Sequence, residues 1–500
     1  MLAQPNIQHI SNNNLDSIVD EFPSLFDTSS VGNLKDVQVS IDIVEDAVPK
    51  YCKARSIPFA LKEKVDTELD RLVKEKIIEP IKYSKWAAPV VPVLKPNKTV
   101  RLCGDYRLTC NKVLLIDKYP LPKVEELFGH LAGGKYFSKL DMSQAYMQLC
   151  LDEASKDLTT INTHRGLFRY NRLCFGIASA PGIFQRTIES VLGRIPGVAI
   201  FLDDILISGK SKREHQEKVR MVLAKLQNAG LKLSKEKCTW FTEQVEYLGY
   251  RIDASGIHPT NEKLKAIADA PAPKDVSQLK SYLGLLNFYR KFIPKAATLL
   301  EPLHSLLRSN VKWKWEKVHQ ESFENSKSAL LNSTLLVHYD PTLPISVSAD
   351  SSSYGIGAVL SHRIDGVDRP VYFVSRSLTE VERRYSQVER EALALVFAVK
   401  KFHFYLWGQK FKLITDHKPL LGLFSNNKNI PTMASGRIQR WSLILQSYHF
   451  DLVHCSGKLL GSADTLSRLP LPHKNECVPT TYTSRIDRYS GVYGEYSCNS

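Results

Sequence analysis

Eight consecutive residues constrain this chain more tightly than any other part of it: Ile200-Phe201-Leu202-Asp203-Asp204-Ile205-Leu206-Ile207. Apolar residues flank two acids on both sides, so burial of the flanks predicts a hairpin with Asp203 and Asp204 at its tip. Two acids in an exposed turn are common and by themselves identify nothing. A second stretch changes their meaning, because Ser138-Lys139-Leu140-Asp141-Met142-Ser143-Gln144-Ala145-Tyr146 carries another Asp at the end of a short strand. Carboxylates brought together in this way repel and raise each other's pKa unless cations neutralise them. Two Mg²⁺ ions about 3.5–4 Å apart would do that, and would clamp the attacking and leaving oxygens of a phosphoryl transfer.

The charge balance points the same way. Sixty-seven Lys and Arg against 52 Asp and Glu leave a net +15, which favours a polyanionic partner, nucleic acid first. At 43% hydrophobic and 24% charged residues, the chain has a globular composition, and 500 residues suggest about three domains. No apolar run approaches the roughly 20 residues that span a membrane. The start, Met1 to Asn14, is polar and lacks the apolar core of a signal peptide. Nine cysteines without a C-x-x-C pair argue against a disulfide framework or a zinc ribbon. The expectation is a reduced, soluble, intracellular protein, cytoplasmic or nuclear, with no membrane partner.

Periodicity divides the chain. From Pro58 to Ile78, Leu61, Val65, Leu69, Leu72 and Val73 recur at helical spacing. Ala87 to Lys95 reads as extended chain, since Pro89, Pro92 and Pro96 exclude a helix. Short strands and helices mix from about 100 to 250, an α+β pattern. Gly256, Pro259, Pro271 and Pro273 mark a boundary, and Val276 to Leu307 reads as helical. A third block opens near Val337, where Ile345, Val347 and Ala349 alternate as in a half-buried strand. A helix from about Gln387 to Leu406 and a strand at Phe411 to Thr415 follow. No internal repeat is present.

The stretch from about Tyr51 to Arg468, over four-fifths of the chain, resembles the reverse transcriptase–ribonuclease H region of gypsy-type LTR retrotransposon Pol polyproteins. The strings that carry the resemblance occur in family order. They are Tyr119-Pro-Leu-Pro122, Lys139-Leu-Asp-Met-Ser-Gln-Ala-Tyr146, Asn171-Arg-Leu-Cys-Phe-Gly176, Ser179-Ala-Pro181, Phe184-Gln185, Phe201-Leu-Asp-Asp204 and Tyr247-Leu-Gly-Tyr250. The resemblance implies a multidomain α+β fold: a right-hand polymerase of fingers, palm and thumb, followed by an α/β ribonuclease H-like domain. It implies Asp141, Asp203 and Asp204 as palm metal ligands. Lys95 and Arg101 look like the finger residues that grip an incoming triphosphate, where fixed positive charge offsets developing negative charge. Either one alone reads as a solvated cation. Tyr146 resembles the steric gate under the sugar, and Phe175 and Gly176 resemble the motif that packs on the templating pair. Tyr247, Leu248, Gly249 and Tyr250 resemble the primer grip, against the plainer reading of a strand with a bulge at Gly249. Lys210, Lys212 and Arg213 read first as a solvated helix start. Cys174 stands where many members have Pro, which would loosen the turn before Phe175, and Phe201 replaces the commoner Tyr.

A second set of acids lies in the third block. Ser348-Ala-Asp-Ser-Ser-Ser-Tyr-Gly-Ile-Gly-Ala-Val-Leu360 puts Asp350 at a strand end. Gly355 and Gly357 lack the third Gly and the strand-to-helix setting of a dinucleotide loop. Singly, acids like Glu389, Glu391, Asp416 and Asp464 are usually surface groups or caps. The strings Thr415-Asp-His-Lys-Pro-Leu420 and Ala463-Asp-Thr-Leu-Ser-Arg468 resemble the ribonuclease H module of the same elements. That resemblance maps its acids to Asp350, Glu391, Asp416 and Asp464, holding two Mg²⁺ for hydrolysis of RNA in a hybrid. Glu391 is preferred to Glu389 because Glu391-Ala-Leu-Ala-Leu395 fits the family's Glu-then-apolar pattern. Lys458-Leu-Leu-Gly-Ser462 departs from the Asn-bearing stretch usual before the last acid. Leu283 to Pro294 resembles the thumb–connection link, with its aromatics expected in helix core.

The implied partners are an RNA template, a DNA primer, an RNA–DNA hybrid recognised by A-form shape and 2′-hydroxyls, and dNTPs. The implied cofactor is Mg²⁺, two per site, with Mn²⁺ as a substitute. Expected boundaries are an N-terminal extension (1–50), fingers and palm (51–255), thumb and connection helices (256–335), a ribonuclease H-like domain (336–470) and a disordered tail (471–500). The protease, zinc knuckles and integrase of a complete polyprotein have no counterpart here, so the expectation is an excised or truncated polymerase segment, or a genomic remnant. The rival reading is a decayed or co-opted copy that only binds nucleic acid. Seven expected carboxylates in one uninterrupted frame favour the enzyme.

Overall fold

The computed structural model describes residues 18–27, 29–95, 98–116, 119–309, 311–333, 335–424 and 436–455. Asp464 and the expected tail lie outside them. From residue 59 the chain runs α1 (Phe59–Lys74), β1 (Ile78–Ile81), β2 (Ala88–Leu94), β3 (Val100–Gly104), α2 (Val124–His130) and β4 (Tyr136–Asp141). It continues through β5 (Ile161–Thr163), β6 (Gly166–Tyr170), α3 (Ala180–Leu192), β7 (Val198–Phe201), β8 (Asp204–Gly209), α4 (Lys212–Asn228) and β9 (Thr239–Thr242). Val65, Leu69 and Leu72 bury one face of α1 as the spacing predicts, whereas Val73 points outward. The helix stops at Lys74 rather than Ile78, because Lys76 takes a left-handed φ of 55° and Ile78 opens β1.

Two sheets share one apolar core. The first has the order β1-β6-β5-β2-β3, with the Pro-rich stretch as β2. The second, β9-β4-β8-β7, is covered by α3 and α4, whose Ile183, Phe184, Ile188, Val219, Val222 and Leu226 are fully buried. Full burial of a side chain of this size contributes about 1.5–3 kcal/mol. Such packing is what can hold charged ends of the inner strands β4 and β8 together.

A three-stranded unit follows: β10 (Gln244–Tyr247), β11 (Tyr250–Asp253) and β12 (Gly256–Pro259). Its residues Val245, Ile252 and Ile257 join α5 (Val276–Phe288) and α7 (Lys317–Leu331) in a second cluster. The continuous helix expected to Leu307 is instead broken after Phe288 into α6 (Ala296–Leu299) and a further turn at Glu301–Ser305. Pro294 forces Ile293 into extended backbone, and Lys295 then turns left-handed at φ 48°. Lys291 from this broken stretch is buried, its ammonium 3.8 Å from the centroid of Tyr250 and 4.9 Å from that of Phe128. Burial pushes that ammonium down to about 8. The aromatics of the segment are core, as expected, except Phe288, which is 48% exposed.

The last domain is a mixed sheet, β15-β14-β13-β16-β17, built from β13 (Ile345–Ser351), β14 (Gly355–Ile364), β15 (Val367–Ser377), β16 (Lys410–Thr415) and β17 (His449–His454). β13 pairs antiparallel with β14 and parallel with β16, and the parallel step is made by the crossover helix α8 (Gln387–Lys401). Helix α9 (Gly436–Gln446) packs beside α8. Nine consecutive residues of α8, Glu391 to Val399, are buried, because sheet and helices cover it on several sides. Among the described residues, no helix is long and apolar enough to cross a membrane.

Candidate active sites

Two of the palm acids, Asp141 and Asp204, meet through strand register, while Asp203 lies in the adjoining turn and the three do not close to within 4.8 Å. β8 lies between β4 and β7, and Asp204 stands directly opposite Asp141 on one side and Phe201 on the other. The tip of the hairpin is Leu202-Asp203 rather than Asp203-Asp204, since Asp204 already pairs as a strand residue. Leu202 carries the strained φ of 53°. Buried Gln185 holds this turn, accepting from the Leu202 amide at 2.7 Å and donating to the Ile200 carbonyl at 2.9 Å. The sequence flagged Phe184-Gln185 only as a matching string. The sequence signal is a Gln set beside Phe184 and three residues before Ile188, on a helix face that the structure buries, where a polar side chain needs partners.

Two lysines that the sequence reading passed over face these acids. Lys139 Nζ lies 3.1 Å from Asp204 Oδ1, and Lys237 Nζ lies 3.2 Å from Asp141 Oδ1. Burial raises the Asp204 carboxyl above its ordinary range; Lys139 opposes the rise, and Asp203 and Asp141 add to it. A carboxylate cluster that draws in cations, with hard oxygen donors only, suits a magnesium-class ion.

Three of the expected nucleotide residues, Arg101, Phe175 and Tyr146, pack against one another. The Arg101 guanidinium sits 5.0 Å over the Phe175 ring, Phe175 meets Tyr146 edge-on at 5.1 Å, and Tyr146 meets Phe184 at 5.2 Å. Gly176 has φ 98°, and a Cβ there would come 2.8 Å from the Gly104 carbonyl oxygen, so this link between palm and fingers admits only glycine. Lys95 closes the β2–β3 loop, its amide donating to the Thr99 carbonyl. Burial lowers its ammonium pKa, with Arg101 among the like charges that add to the effect. Cys174 does not leave the turn empty: it is buried, its thiol reaches the Tyr106 hydroxyl at 3.4 Å, and burial pushes it up to about 12.

Tyr247, Leu248, Gly249 and Tyr250 form a tight hairpin rather than a bulged strand. Tyr247 pairs with Tyr250, and the two turn residues both have positive φ, 49° and 79°. Both tyrosines are buried, and Tyr289 donates to the Gly249 carbonyl at 2.7 Å. A Cβ on Gly249 would meet Phe288 at 2.9 Å. Gly249→Val should therefore lower stability by about 2 kcal/mol, read as the denaturant midpoint. An unchanged midpoint would mean that the hairpin tip is free to rearrange. Lys210, Lys212 and Arg213 lie where the helix-start reading put them, with Ser211 capping α4 and Arg213 paired to Glu217 at 3.0 Å.

The second cluster is tighter. Ligand atoms of Asp350 on β13, Glu391 on α8 and Asp416 just after β16 all lie within 4.8 Å of one another. Among the described residues no other group of three such side chains is this close. Glu391 accepts from Ser351 Oγ at 2.6 Å and from Gln387 Nε2 at 2.7 Å through Oε1, while its buried Oε2 has no partner among the described residues. Burial pushes its carboxyl up to about 7, against the Ser351 hydrogen bond and helped by Asp350 and Asp416. An orphaned carboxylate oxygen facing two more acids fits a divalent cation. Glu389 points elsewhere: it caps the start of α8 and pairs with Arg437 at 3.2 Å. Lys295 Nζ, again unflagged by the sequence, lies 2.5 Å from Asp350 Oδ2.

Comparison with known proteins follows this division. Residues 93–252 match the family model for reverse transcriptase (RNA-dependent DNA polymerase), and 340–448 match the RNase H-like domain found in reverse transcriptase. The chain is 32% identical to the Retrovirus-related Pol polyprotein from transposon opus of Drosophila melanogaster, over 92% of this chain and 47% of that protein. It is 33% identical to that from transposon 412 of the same species, over 93% and 38%. It is 32% identical to the Transposon Tf2-3 polyprotein of Schizosaccharomyces pombe, over 91% and 34%. The chain thus spans less than half the length of these relatives. In fold it is similar to the foamy viral protease-reverse transcriptase in complex with dsDNA, with a TM-score of 0.80 and 23% identity over 90% of this chain and 95% of that one. The same viral protein in complex with RNA/DNA hybrid gives 0.77 and 23%, over 95% and 64%. With two family models matched in chain order and curated relatives aligned along more than nine-tenths of its length, the chain carries the reverse transcriptase and ribonuclease H-like domains of retrotransposon Pol polyproteins, as the gypsy-type resemblance implied.

Proposed function

We propose that this chain is an RNA-directed DNA polymerase with a ribonuclease H activity on RNA–DNA hybrids, working inside the cell with two Mg²⁺ ions in each site. The observation that carries this reading is the convergence of acids from separate elements at two places. Asp141 and Asp204 face each other across β4 and β8 with Asp203 in the adjoining turn, and Asp350, Glu391 and Asp416 close within 4.8 Å. Bound Mg²⁺ would supply charge neutralisation and lower the pKa of the attacking hydroxyl or water.

The chain's own residues do the rest. Asp141, Asp203 and Asp204 would hold the polymerase ions, and Asp350, Glu391, Asp416 and Asp464 would hold those of the ribonuclease H site. Arg101 and Lys95 grip the triphosphate of a dNTP, and Phe175 and Gly176 back the templating pair. The Tyr247-to-Tyr250 hairpin presents backbone to the primer end. A surplus of positive charge binds template and primer phosphates.

Primer extension on an RNA template with Mg²⁺ tests the reading. Template-dependent synthesis is expected, and binding without synthesis would support a decayed or co-opted copy instead. Sugar selection gives a finer check. Tyr146 lies half-buried between Phe175 and Phe184. If its ring fills the space a 2′-hydroxyl would need, Tyr146→Ala should raise the ribonucleotide-to-deoxynucleotide efficiency ratio by about tenfold or more, a change of at least ~1.4 kcal/mol. An unchanged ratio would make Tyr146 a packing residue only.

A further inference from the structure

Lys295 comes from outside the ribonuclease H-like domain, yet its ammonium sits on that domain's acid cluster, 2.5 Å from Asp350 Oδ2. The contact is built rather than incidental. Lys295 holds a left-handed backbone, φ 48° and ψ 31°, at the start of α6, a conformation that a non-glycine residue keeps only when its surroundings impose it. Two hydrogen bonds impose it here. The Ala297 amide donates to Ser375 Oγ at 3.0 Å on β15, and Thr298 Oγ1 meets Ser352 Oγ at 3.1 Å, two residues beyond Asp350. Arg290 adds a third tie, donating to the Ser375 carbonyl at 3.1 Å.

Gly355 and Gly357, which form no dinucleotide loop, make the floor on which this strap lies. A Cβ at Gly355 would come 3.3 Å from Thr298 Oγ1, and one at Gly357 would come 3.9 Å from Lys295 Cγ. The connection segment is thereby held across the edge of the sheet that carries Asp350.

We infer that Lys295 is the resident cation of the ribonuclease H-like acid cluster, holding Asp350 in the metal-free protein and setting the divalent-ion concentration at which that site loads. The inference rests on the reading of Asp350, Glu391 and Asp416 as a metal site. An ammonium and a divalent ion at one carboxylate repel each other, so each weakens the binding of the other. The Lys295 side chain is 67% exposed and can swing into solvent, so the repulsion shifts affinity by a modest factor and does not block the site. Any movement that lifts α6 off β15, such as docking of a hybrid along the connection, would also free Asp350 for metal.

The test is Mn²⁺ binding to the full chain, followed by the paramagnetic signal of free ion at low ionic strength. Sites lost in Asp350→Asn define the cluster. Lys295→Met should bind Mn²⁺ there about two- to fivefold more tightly, the range expected for a partly exposed ion pair. Lys295→Arg should remain near the wild type. Lys295→Asn, which suits the left-handed backbone and removes the charge, should reproduce the tightening even if the Met variant folds poorly. Equal affinity in wild type and both neutral variants overturns the inference, as does equal tightening by Arg and Met. If Asp350→Asn retains every Mn²⁺ site, the metal-site reading itself falls.

Discussion

Asp203→Asn should cut primer extension by about a thousandfold or more, close to 4 kcal/mol of transition-state stabilisation. The reason is local. Asp203 follows Leu202 in a turn that Gln185 fixes through the Leu202 amide and the Ile200 carbonyl, so the substitution removes a negative oxygen without releasing the hairpin. The neighbouring Asp204 keeps its place opposite Asp141 because that pairing is made by backbone bonds of β4 and β8. Template–primer binding should change little, since the basic surface is untouched. Extension at near wild-type rate would sink the palm assignment. A folding defect would show instead as lost binding and a lowered midpoint.

Glu391→Gln should abolish cleavage of RNA in an RNA–DNA hybrid, by two orders of magnitude or more, and leave primer extension largely intact. Glu391 supplies the buried oxygen that has no protein partner, and Gln would put an amide where a cation is needed. Glu389→Gln is the control. Its carboxylate closes the capping box with Ser386 and pairs with Arg437, so its loss should cost about 1 kcal/mol of stability and little activity. If Glu389→Gln loses cleavage while Glu391→Gln retains it, the assignment is reversed. The converse pattern for Asp203→Asn, cleavage kept and extension lost, would establish two independent centres. Loss of both activities in every variant would refute them.

Local pattern made much of this legible. Apolar flanks around Asp203 and Asp204, alternation at Ile345, Val347 and Ala349, and the helical spacing of Val65, Leu69 and Leu72 report burial directly, and these residues are buried except Phe201 and Leu202 beside the turn, which are half-buried. Glu391 was separable from Glu389 because an apolar run begins just after it, and the helix buries that run from Glu391 to Val399. Local pattern failed where backbone geometry overrides periodicity. Ile78 continues the α1 spacing but opens a strand after the left-handed Lys76, and the apolar residues after Phe288 continue a helix that Pro294 and Lys295 interrupt.

By itself, then, the sequence determined which acids are set among apolar strands and helices, because the free energy of burying each flank depends on residues close in the chain. The tertiary structure alone decided what those acids meet. Register between β4 and β8 puts Asp141 against Asp204, and the crossover through α8 brings Glu391 to Asp350 and Asp416. The same long-range packing seats Gln185 under the hairpin and delivers Lys139, Lys237 and Lys295 to the carboxylates. A lysine's spacing along the chain carries no trace of the acid it will face, since that pairing exists only once distant segments have closed against one another.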